Sequence, residues 1–257
     1  MHVLSEDFLK LDYESIIEKI TEFISDEVKS RKKSGVVIGL SGGLDSSVCV
    51  VLASRALHRS KIIGLIMPEK GLTPKTDIQN AKTLAKKLSI RYKEIHIERG
   101  KKILLNRLPK HRLSAGNFSA RLRMSLLYYY AAVHNLLVLG TADKSELMIG
   151  YFTKFGDAGA DMFPIGELYK SQVKLLAREL QLPEEIIRQP SSPRFWKRQL
   201  AEREIGLPYA DIDKILDSYL NNDLKDCELN KKKIKIVTEM INNSQHKKED
   251  VPICNPL

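Results

Sequence analysis

The sequence is short of cysteine and of long apolar segments. Its three cysteines, Cys49, Cys227 and Cys254, lie far apart and form no Cys-x-x-Cys pair. This excludes the common zinc and thiol-redox motifs and favours structural thiols in a reducing compartment. No apolar run approaches the roughly 20 residues that cross a bilayer. Residues 1–7 lack the basic and apolar regions of a signal peptide. We therefore expect a cytoplasmic protein without a membrane partner.

The sequence also lacks internal repeats, low-complexity segments and basic clusters interleaved with aromatic residues. The net charge is +10, but lysines and arginines are spread along the chain, with short runs at residues 31–33 and 231–233. Proteins that bind single-stranded nucleic acids combine a basic groove with stacking aromatics. We therefore expect no nucleic-acid partner and relate the charge to a polyanionic small substrate or to a solvated surface.

Strand-like and helix-like segments alternate through the first part of the chain, which predicts an α/β fold with a doubly wound parallel sheet. Apolar runs predict strands at residues 36–38, 62–67 and 136–140, and alternating polarity predicts a strand at 91–97. Helical spacing of apolar residues predicts helices at 13–33, 46–58, 74–88 and 119–134. After residue 165 the pattern is mostly helical, with predicted helices at 168–181, 183–188, 208–221 and 228–242.

These patterns predict one domain over residues 1–257, with an α/β nucleotide-binding core at about 35–165 and a mostly helical part at about 166–257. Between the helices of the second part, residues 189–203 are rich in proline, serine and arginine and have no clear period. A long segment of this kind indicates a mobile loop or lid, to which we assign residues 189–206.

The most informative segment is residues 35–47, which read Gly-Val-Val-Ile-Gly-Leu-Ser-Gly-Gly-Leu-Asp-Ser-Ser. A β-branched strand leads through a Gly/Ser-rich turn into a helix, so backbone N–H groups and a helix N-terminus can face an anion. Asp45 adds a carboxylate that could hold a metal ion on the phosphates. No lysine lies in the turn, unlike the common Gly-Lys-Ser/Thr phosphate loop. The alternative is a tight strand–helix turn without a ligand.

The pattern Ser-Gly-Gly-x-Asp-Ser resembles the pyrophosphate loop (PP-loop) of ATP pyrophosphatases. Those enzymes cut ATP between the α and β phosphates and adenylylate an oxygen of the substrate. The resemblance implies an adenine nucleotide α-hydrolase-like fold and the ATP-binding residues Gly39, Leu40, Ser41, Gly42, Gly43, Leu44, Asp45, Ser46 and Ser47.

A second polar cluster follows the fourth predicted strand, from Gly140 and Thr141 to Glu146. Ligands of parallel sheets bind at the carboxyl ends of the strands, so this cluster and the Gly/Ser-rich turn can face one crevice. Asp45 and Glu146 would then make a hard-oxygen site for Mg²⁺. The alternative is that Thr141 caps a helix and Glu146 is a solvated helical residue.

Several motifs together resemble the ammonia-dependent NAD synthetase family, over about residues 15–252. Residues 120–124 match its Ala-Arg-x-Arg-Met, and residues 152–161 match Phe-Thr-Lys-aromatic-Gly-Asp-x-x-x-Asp. Gly140 and Thr141 with Glu146, Leu168 with Lys170, and a C-terminal His-Lys followed by Pro252 complete the resemblance. It implies that ATP adenylylates the carboxylate of deamido-NAD (nicotinic acid adenine dinucleotide). Ammonia then displaces AMP to give NAD, the last step of NAD biosynthesis.

The resemblance also implies roles for individual residues, with Mg²⁺ as cofactor and ATP as co-substrate. It implies catalytic roles for Asp157, which would handle ammonia, and Lys170; ATP contacts for Thr141, Lys170 and Ser192; metal contacts for Asp45 and Glu146; and deamido-NAD contacts for Arg121, Lys154, Asp161, His246 and Lys247. From the residues alone, His246 and Lys247 would read as a polar tail, and Arg121 as an exposed helical residue.

The predicted lid departs from the family pattern. Pro193, Arg194 and Arg198 replace small or apolar residues, and Leu200 and Ala201 replace polar ones. We expect this more basic lid to close differently over polyanionic substrates. Ser192, Trp196, Gln199, Glu202, Glu204 and Gly206 keep the frame.

The resemblance implies a homodimer whose dinucleotide site borrows from both subunits, and the tyrosine-rich helix 119–134 is the candidate interface. Glutamine-dependent relatives carry a further amidohydrolase domain, for which the residues before the first strand are too few, so we expect free ammonia or ammonia from a separate protein. One alternative is a tRNA-modifying ligase with a PP-loop, which the missing Cys-x-x-Cys pair opposes. The other is a catalytically lapsed nucleotide sensor, which the intact Asp45, Glu146, Asp157 and Lys170 oppose.

Overall fold

The fold was obtained as a computed structural model that describes residues 6–225, 227 and 229–256. Most of the N-terminal segment considered for a signal peptide, residues 1–5, and Glu228 at the start of the last predicted helix therefore lie outside the described residues. Within them, none of the helices has the length and apolarity of a membrane-spanning segment.

A parallel four-stranded sheet forms the centre of the molecule, in the order β3-β2-β1-β4. The strands are β1 Gly35–Gly39, β2 Ile62–Ile66, β3 Arg91–Glu94 and β4 Leu136–Leu139. Since β1 pairs with both β2 and β4, the carboxyl ends of the first and fourth strands are neighbours, as predicted. The predicted doubly wound parallel sheet is confirmed.

Helices cover both faces of this sheet because side chains of β1 alternate between them. Val36 and Ile38 pack on one face with residues of the helices Tyr13–Ser30, Leu44–Ala56 and Lys170–Glu179, whereas Val37 packs on the other with Ala131 of the helix Arg112–His134. The helices are α1 Tyr13–Ser30, α2 Leu44–Ala56, α3 Lys75–Lys87, α4 Glu98–Leu105, α5 Arg112–His134, α6 Lys144–Ile149, α7 Lys170–Glu179, α8 Glu184–Ile187, α9 Ala201–Ile205, α10 Tyr209–Leu220, α11 Lys231–Asn243 and α12 Gln245–Lys248.

The C-terminal helices form a second apolar core with α6. Ile149, Tyr169, Ile205, Ile212 and Val237 are buried together in it. This core fixes α6 and the start of α7 relative to the sheet, and both elements carry residues of the candidate site.

Several element boundaries differ from the predictions. The helix predicted at 119–134 is α5 and begins at Arg112, where His111 accepts a hydrogen bond from Ser114 N at 3.2 Å. Gly116 disfavours a helix in the turns that precede residue 119. A Cβ at this position would lie 2.6 Å from Phe195, so packing requires the glycine. The helix α4 was not predicted, and the strand predicted at 91–97 ends at Glu94 because α4 follows closely.

Candidate active site

The Gly/Ser-rich turn after β1 is held by its own hydroxyl groups. The Oγ atoms of Ser41 and Ser46 lie 2.8 Å apart, and Ser47 Oγ donates to Gly43 O at 2.8 Å. Gly43 is the N-cap of α2 and its residue type offers no capping side chain, so the first N–H groups of α2 remain available to an anion. Ser46 and Ser47 are buried beneath the turn and support it from within.

Gly42 lets this turn pack against α3. Its φ is +80°, and a Cβ there would lie 1.9 Å from the backbone oxygen of Asp77. Both the left-handed backbone and the close approach require glycine. The turn and the first residues of α3 therefore form one rigid rim.

A cavity of about 300 Å³ opens at the carboxyl ends of β1, β2 and β4. The turn lines one side, α5 another, and residues 189–195 cover it. This is the crevice in which open parallel sheets bind their ligands. Of the predicted site residues, the cavity is lined by Gly39, Leu40, Ser41, Gly43, Leu44, Asp45, Thr141, Glu146, Asp157 and Ser192.

A buried ammonium group lies among three carboxylates at the base of the cavity. Lys170 Nζ is 2.8 Å from Asp45 Oδ2, 2.8 Å from Asp143 Oδ2 and 3.0 Å from Glu146 Oε1. Burial disfavours a charged lysine, but the three carboxylates outweigh it and raise the pKa of Lys170. Burial raises the pKa of Asp143 to about 6 and that of Glu146 well above its usual range. One ammonium thus faces three acidic groups.

This cluster fits a divalent cation. Asp45 Oδ1 is buried and has no hydrogen-bond partner among the described residues. Asp45 and Glu146 retain 22% and 19% side-chain exposure, so both carboxylates can be reached from the cavity. Magnesium prefers one or two carboxylates together with water and phosphate oxygens. The described residues contain no ready-made group of three or more His, Cys, Asp or Glu ligands, so phosphate oxygens would have to complete the site.

The backbone of Lys170 is fixed by a carboxylate that was not singled out in the sequence. Asp213 of α10 is fully buried; its Oδ1 accepts from Ser145 Oγ at 2.5 Å and its Oδ2 from Ser171 N at 2.8 Å. Ser145 Oγ in turn accepts from Lys170 N at 2.9 Å. The available signal was an acidic residue on the apolar face of α10, beside Ile212.

Asp143 was also missed by sequence reasoning. It is the N-cap of α6, and its Oδ1 accepts from Glu146 N at 2.8 Å. An aspartate before a short helix reads as a cap. Only the position of Lys170, 27 residues further along the chain, gives its second oxygen a role in the site.

Asp157 lies in the cavity wall. Its Oδ1 accepts a hydrogen bond from Thr153 N at 2.9 Å. The side chain is open to the cavity, yet surrounding protein reduces its solvation and raises its pKa. Arg123 of α5 also lines the cavity.

The five residues predicted to hold deamido-NAD are not among the described residues that line the cavity of their own subunit. Arg121 Nη2 donates to Lys154 O at 3.2 Å, and Lys154 Nζ donates to His246 O. Lys247 Nζ donates to Gly150 O at 2.6 Å. Four of the five, Arg121, Lys154, His246 and Lys247, thus take part in hydrogen bonds that join α5, the loop after α6 and α12; we call these bonds the surface chain.

Asp161, the fifth of these residues, is bound to the edge of the sheet. Its Oδ2 accepts from Val138 N at 2.7 Å, and its Oδ1 accepts from Tyr128 Oη at 3.3 Å. Burial and the Asp161 charge raise the pKa of Tyr128 to about 12. The carboxylate therefore pairs a backbone donor at the edge of β4 and links that edge to Tyr128 of α5.

Residues 189–200 cover the cavity through polar contacts. Arg194 Nε lies 3.1 Å from Asp77 Oδ2, and Gln189 Nε2 donates to Asp77 Oδ1 at 2.9 Å. Ser192 Oγ donates to Gln199 O at 2.6 Å, so its hydroxyl is used within the segment. The positive charge of Arg194, one of the departures from the family pattern, is thus paired within the chain.

Comparison with known proteins identifies relatives along nearly the whole sequence. Residues 16–251 match the NAD synthase family. The NH(3)-dependent NAD(+) synthetase of Hyperthermus butylicus is 43% identical over 265 residues, covering 100% of this chain and 96% of that protein. The protein of the same name from Archaeoglobus fulgidus is 41% identical, covering 95% and 98% of the two chains.

Solved structures of similar proteins have the same fold. The structure of NMN synthetase from Francisella tularensis has a TM-score of 0.87 and 33% identity, covering 95% of this chain and 99% of that one. The NH3-dependent NAD synthetase of Campylobacter jejuni in complex with the nitrate ion has a TM-score of 0.83 and 34% identity, covering 95% and 100%.

Proposed function

The chain belongs to the NAD synthase family, and from this premise we propose that it amidates the nicotinic acid carboxylate of deamido-NAD with ammonia. ATP is the co-substrate, and the products are NAD, AMP and pyrophosphate. The observation that carries the proposal is the Lys170 cluster with Asp45 and Glu146, directly beside the Gly/Ser-rich turn at the carboxyl ends of β1 and β4.

The turn and the N-terminus of α2 are suited to bind the leaving pyrophosphate. Their free N–H groups and the helix dipole favour an anion at this end of β1. Lys170 neutralises part of the charge on Asp45 and Glu146, which lowers the repulsion that a triphosphate meets there. When bound by Asp45 and Glu146, Mg²⁺ would supply further neutralisation of phosphate charge.

The reaction proceeds in two displacements. A carboxylate oxygen of deamido-NAD attacks the α-phosphorus of ATP, and the bond to the β-phosphate oxygen breaks. Ammonia then attacks the acyl carbon, and AMP leaves with the electron pair of the broken C–O bond. Asp157, whose pKa is raised by its surroundings, would take the proton that ammonium loses. Because the segment 189–195 lines the cavity, it would limit the access of water to the activated carboxylate.

A product assay tests this function. The purified protein is incubated with deamido-NAD, ATP, Mg²⁺ and ammonium, and nucleotides are separated by chromatography. We expect NAD and AMP in equal amounts and only when ammonium is present; glutamine is then tested as a substitute. ATP binding without either product would contradict an enzyme and favour a nucleotide sensor.

A second candidate substrate is nicotinic acid mononucleotide. The similarity to the NMN synthetase of Francisella tularensis, with a TM-score of 0.87, favours it. Both substrates present the same pyridine carboxylate, so the same amidation would follow. The ratio of kcat/KM for the dinucleotide and the mononucleotide separates the two. We expect the dinucleotide to be preferred, in accordance with the names of the relatives that are 41% and 43% identical.

We further propose a homodimer formed through α5. Tyr129 and Val133 on this helix are 67% and 59% exposed, which leaves an apolar stripe open. Val133→Asp should yield a monomer in analytical ultracentrifugation. Ile253→Asp is the control, since Ile253 is 92% exposed and lies beyond α12. If both variants remain dimeric, α5 is not the interface.

A dimer would explain why the surface chain of Arg121, Lys154 and His246 lies outside the cavity of its own subunit. Mixing inactive Asp45→Asn and Lys154→Met proteins tests this arrangement. If each site combines a cavity from one subunit with the surface chain from the other, random pairing restores about a quarter of the wild-type activity. No recovery would mean that each subunit works alone.

We also propose that the chain divides into a core at about 35–165 and a helical part at about 166–257. We further propose that the protein is cytoplasmic. The three cysteines are unpaired, and Cys49 and Cys227 are buried, which is consistent with a reducing compartment.

A further inference from the structure

We propose that Arg123 binds the pyridine carboxylate of the substrate and thereby distinguishes it from the carboxamide of the product. This inference rests on the proposed function and names the group that recognises the reacting carboxylate.

Arg123 is anchored on one side and open on the other. It lies on α5, lines the cavity and is half-buried. Its Nε donates to Met67 O at 3.0 Å, just after β2. Its two Nη groups have no acceptor among the described residues. A guanidinium fixed at Nε presents its remaining donors in a planar fork, which matches a carboxylate.

A buried polar network supports Arg123 from behind. Glu69, two residues after Met67, accepts from Lys101 Nζ at 2.6 Å and from Ser119 Oγ at 3.0 Å. Glu69, Lys101 and Ser119 are 8%, 8% and 0% exposed. Since Lys101 pairs with Glu69 and both oxygens of Glu69 already accept hydrogen bonds, this carboxylate leaves the terminal donors of Arg123 unoccupied.

Among the described residues that line the cavity, Arg123 is the cation that no carboxylate pairs. Arg123 and Arg194 are the cationic side chains among the lining residues, and Arg194 is paired with Asp77. The lining also contains the carboxylates of Asp45, Glu146 and Asp157. A further carboxylate entering such a site would be repelled unless a cation received it.

The position of Arg123 favours the pyridine carboxylate over the phosphates of ATP. Arg123 and Asp157 both line the cavity, and Gly156, beside Asp157, packs against Ala120 of α5, so the two side chains share one part of the cavity. The acyl carbon must lie beside the group that deprotonates ammonia, whereas the turn and α2 serve the pyrophosphate. After amidation the carboxylate charge is gone, the charge-assisted pair is lost, and the product binds more weakly than the substrate.

Binding of deamido-NAD and of NAD tests this assignment, because the two differ only in carboxylate against carboxamide. Each is titrated by calorimetry into protein saturated with Mg²⁺ and α,β-methylene-ATP. We expect the wild type to bind deamido-NAD at least about tenfold more tightly than NAD, in keeping with a charged hydrogen-bonded pair. Arg123→Met should bring this ratio close to one by weakening deamido-NAD alone, and Arg123→Lys should restore part of it.

Arg121→Met is the matched control, two positions away on the same helix but exposed. It should weaken both dinucleotides equally. An unchanged ratio in Arg123→Met, or an equal loss of both ligands, would overturn the proposal; the latter would point to a phosphate contact. If Arg123→Met does not fold, Arg123→Gln and Arg123→Lys give the same comparison. If the wild type makes no NAD, the proposed function fails instead.

Discussion

Arg194 and Asp77 form an ion pair that ties the segment 189–200 to the first turn of α3. The Nε–Oδ2 distance is 3.1 Å, and the side chain of Asp77 is only 6% exposed. Arg194→Gln should therefore loosen the segment and leave a buried carboxylate short of a partner. We expect trypsin to cleave at the exposed Lys197 and Arg198 several-fold faster than in the wild type.

The control for this prediction is Arg188→Gln. Arg188 pairs with Glu184 at 2.7 Å, but the two side chains are 79% and 50% exposed. Exposed pairs contribute little to stability, so cleavage should be unchanged. Equal rates for Arg194→Gln and the wild type would show that other contacts of the segment hold it closed.

Gly42 should tolerate no side chain, whereas Gly71 should tolerate one at moderate cost. Both have positive φ, +80° and +86°, but a Cβ at Gly42 would lie 1.9 Å from Asp77 O and one at Gly71 would meet nothing within 4 Å. Gly71→Ala should destabilise the fold by about 1 kcal/mol, from backbone strain alone. Gly42→Ala should cost clearly more in urea unfolding and should weaken ATP binding. Similar losses for both would rule out the close approach as the cause.

The sheet and the strand–helix turn could be predicted because their causes are local. Continuous apolar runs such as residues 62–66 are typical of buried parallel strands, and the Gly/Ser-rich turn lies between β1 and α2 as expected. The role of this turn as an anion site stays a prediction. The neighbouring ends of β1 and β4, expected from the motifs after each strand, were confirmed by the strand order. Membership of the NAD synthase family, expected from the combined motifs, was confirmed by the comparisons.

The parts that could not be predicted depend on contacts between distant residues. Gly116 lies within α5 although glycine disfavours a helix, and its packing against Phe195, which no local pattern indicates, leaves no room for a side chain. In the sequence, Asp143 is a typical helix cap and Asp213 is an acidic residue on an apolar helix face, and neither pattern indicates the contacts that α7 supplies through Lys170 and Ser171. Similarly, no sequence pattern indicates that Arg194 pairs with Asp77. The roles of the individual site residues stay predictions.

Asp45→Asn and Glu146→Gln should each lower turnover by at least about tenfold, equivalent to roughly 1.4 kcal/mol of barrier. Each change removes a charge that can be reached from the cavity and that would hold the metal ion. The measurement is NAD formation across a range of Mg²⁺ concentrations, where we also expect a higher requirement for Mg²⁺. Glu167→Gln is the control, since the Glu167 side chain is 92% exposed. Full activity in both variants at ordinary Mg²⁺ would contradict the metal assignment.

Asp143 should make stability depend on pH. Burial raises its pKa from 3.8 to about 6, so the folded state binds a proton that the unfolded state releases between these values. The free energy of unfolding should therefore fall as pH rises from about 4 to 6, and the loss should level off above the folded pKa. In Asp143→Asn this contribution is absent, while the amide oxygen can still cap α6.

We expect the two proteins to unfold at similar urea concentrations near pH 4. Near pH 7, with a chelator present, Asp143→Asn should be the more stable, because the wild type must ionise a buried carboxyl group that the variant lacks. Asp26→Asn, an exposed position of α1, serves as the control and should follow the wild type at every pH. Parallel curves for wild type and Asp143→Asn would mean that the ammonium of Lys170, 2.8 Å away, fully offsets the burial of this carboxylate.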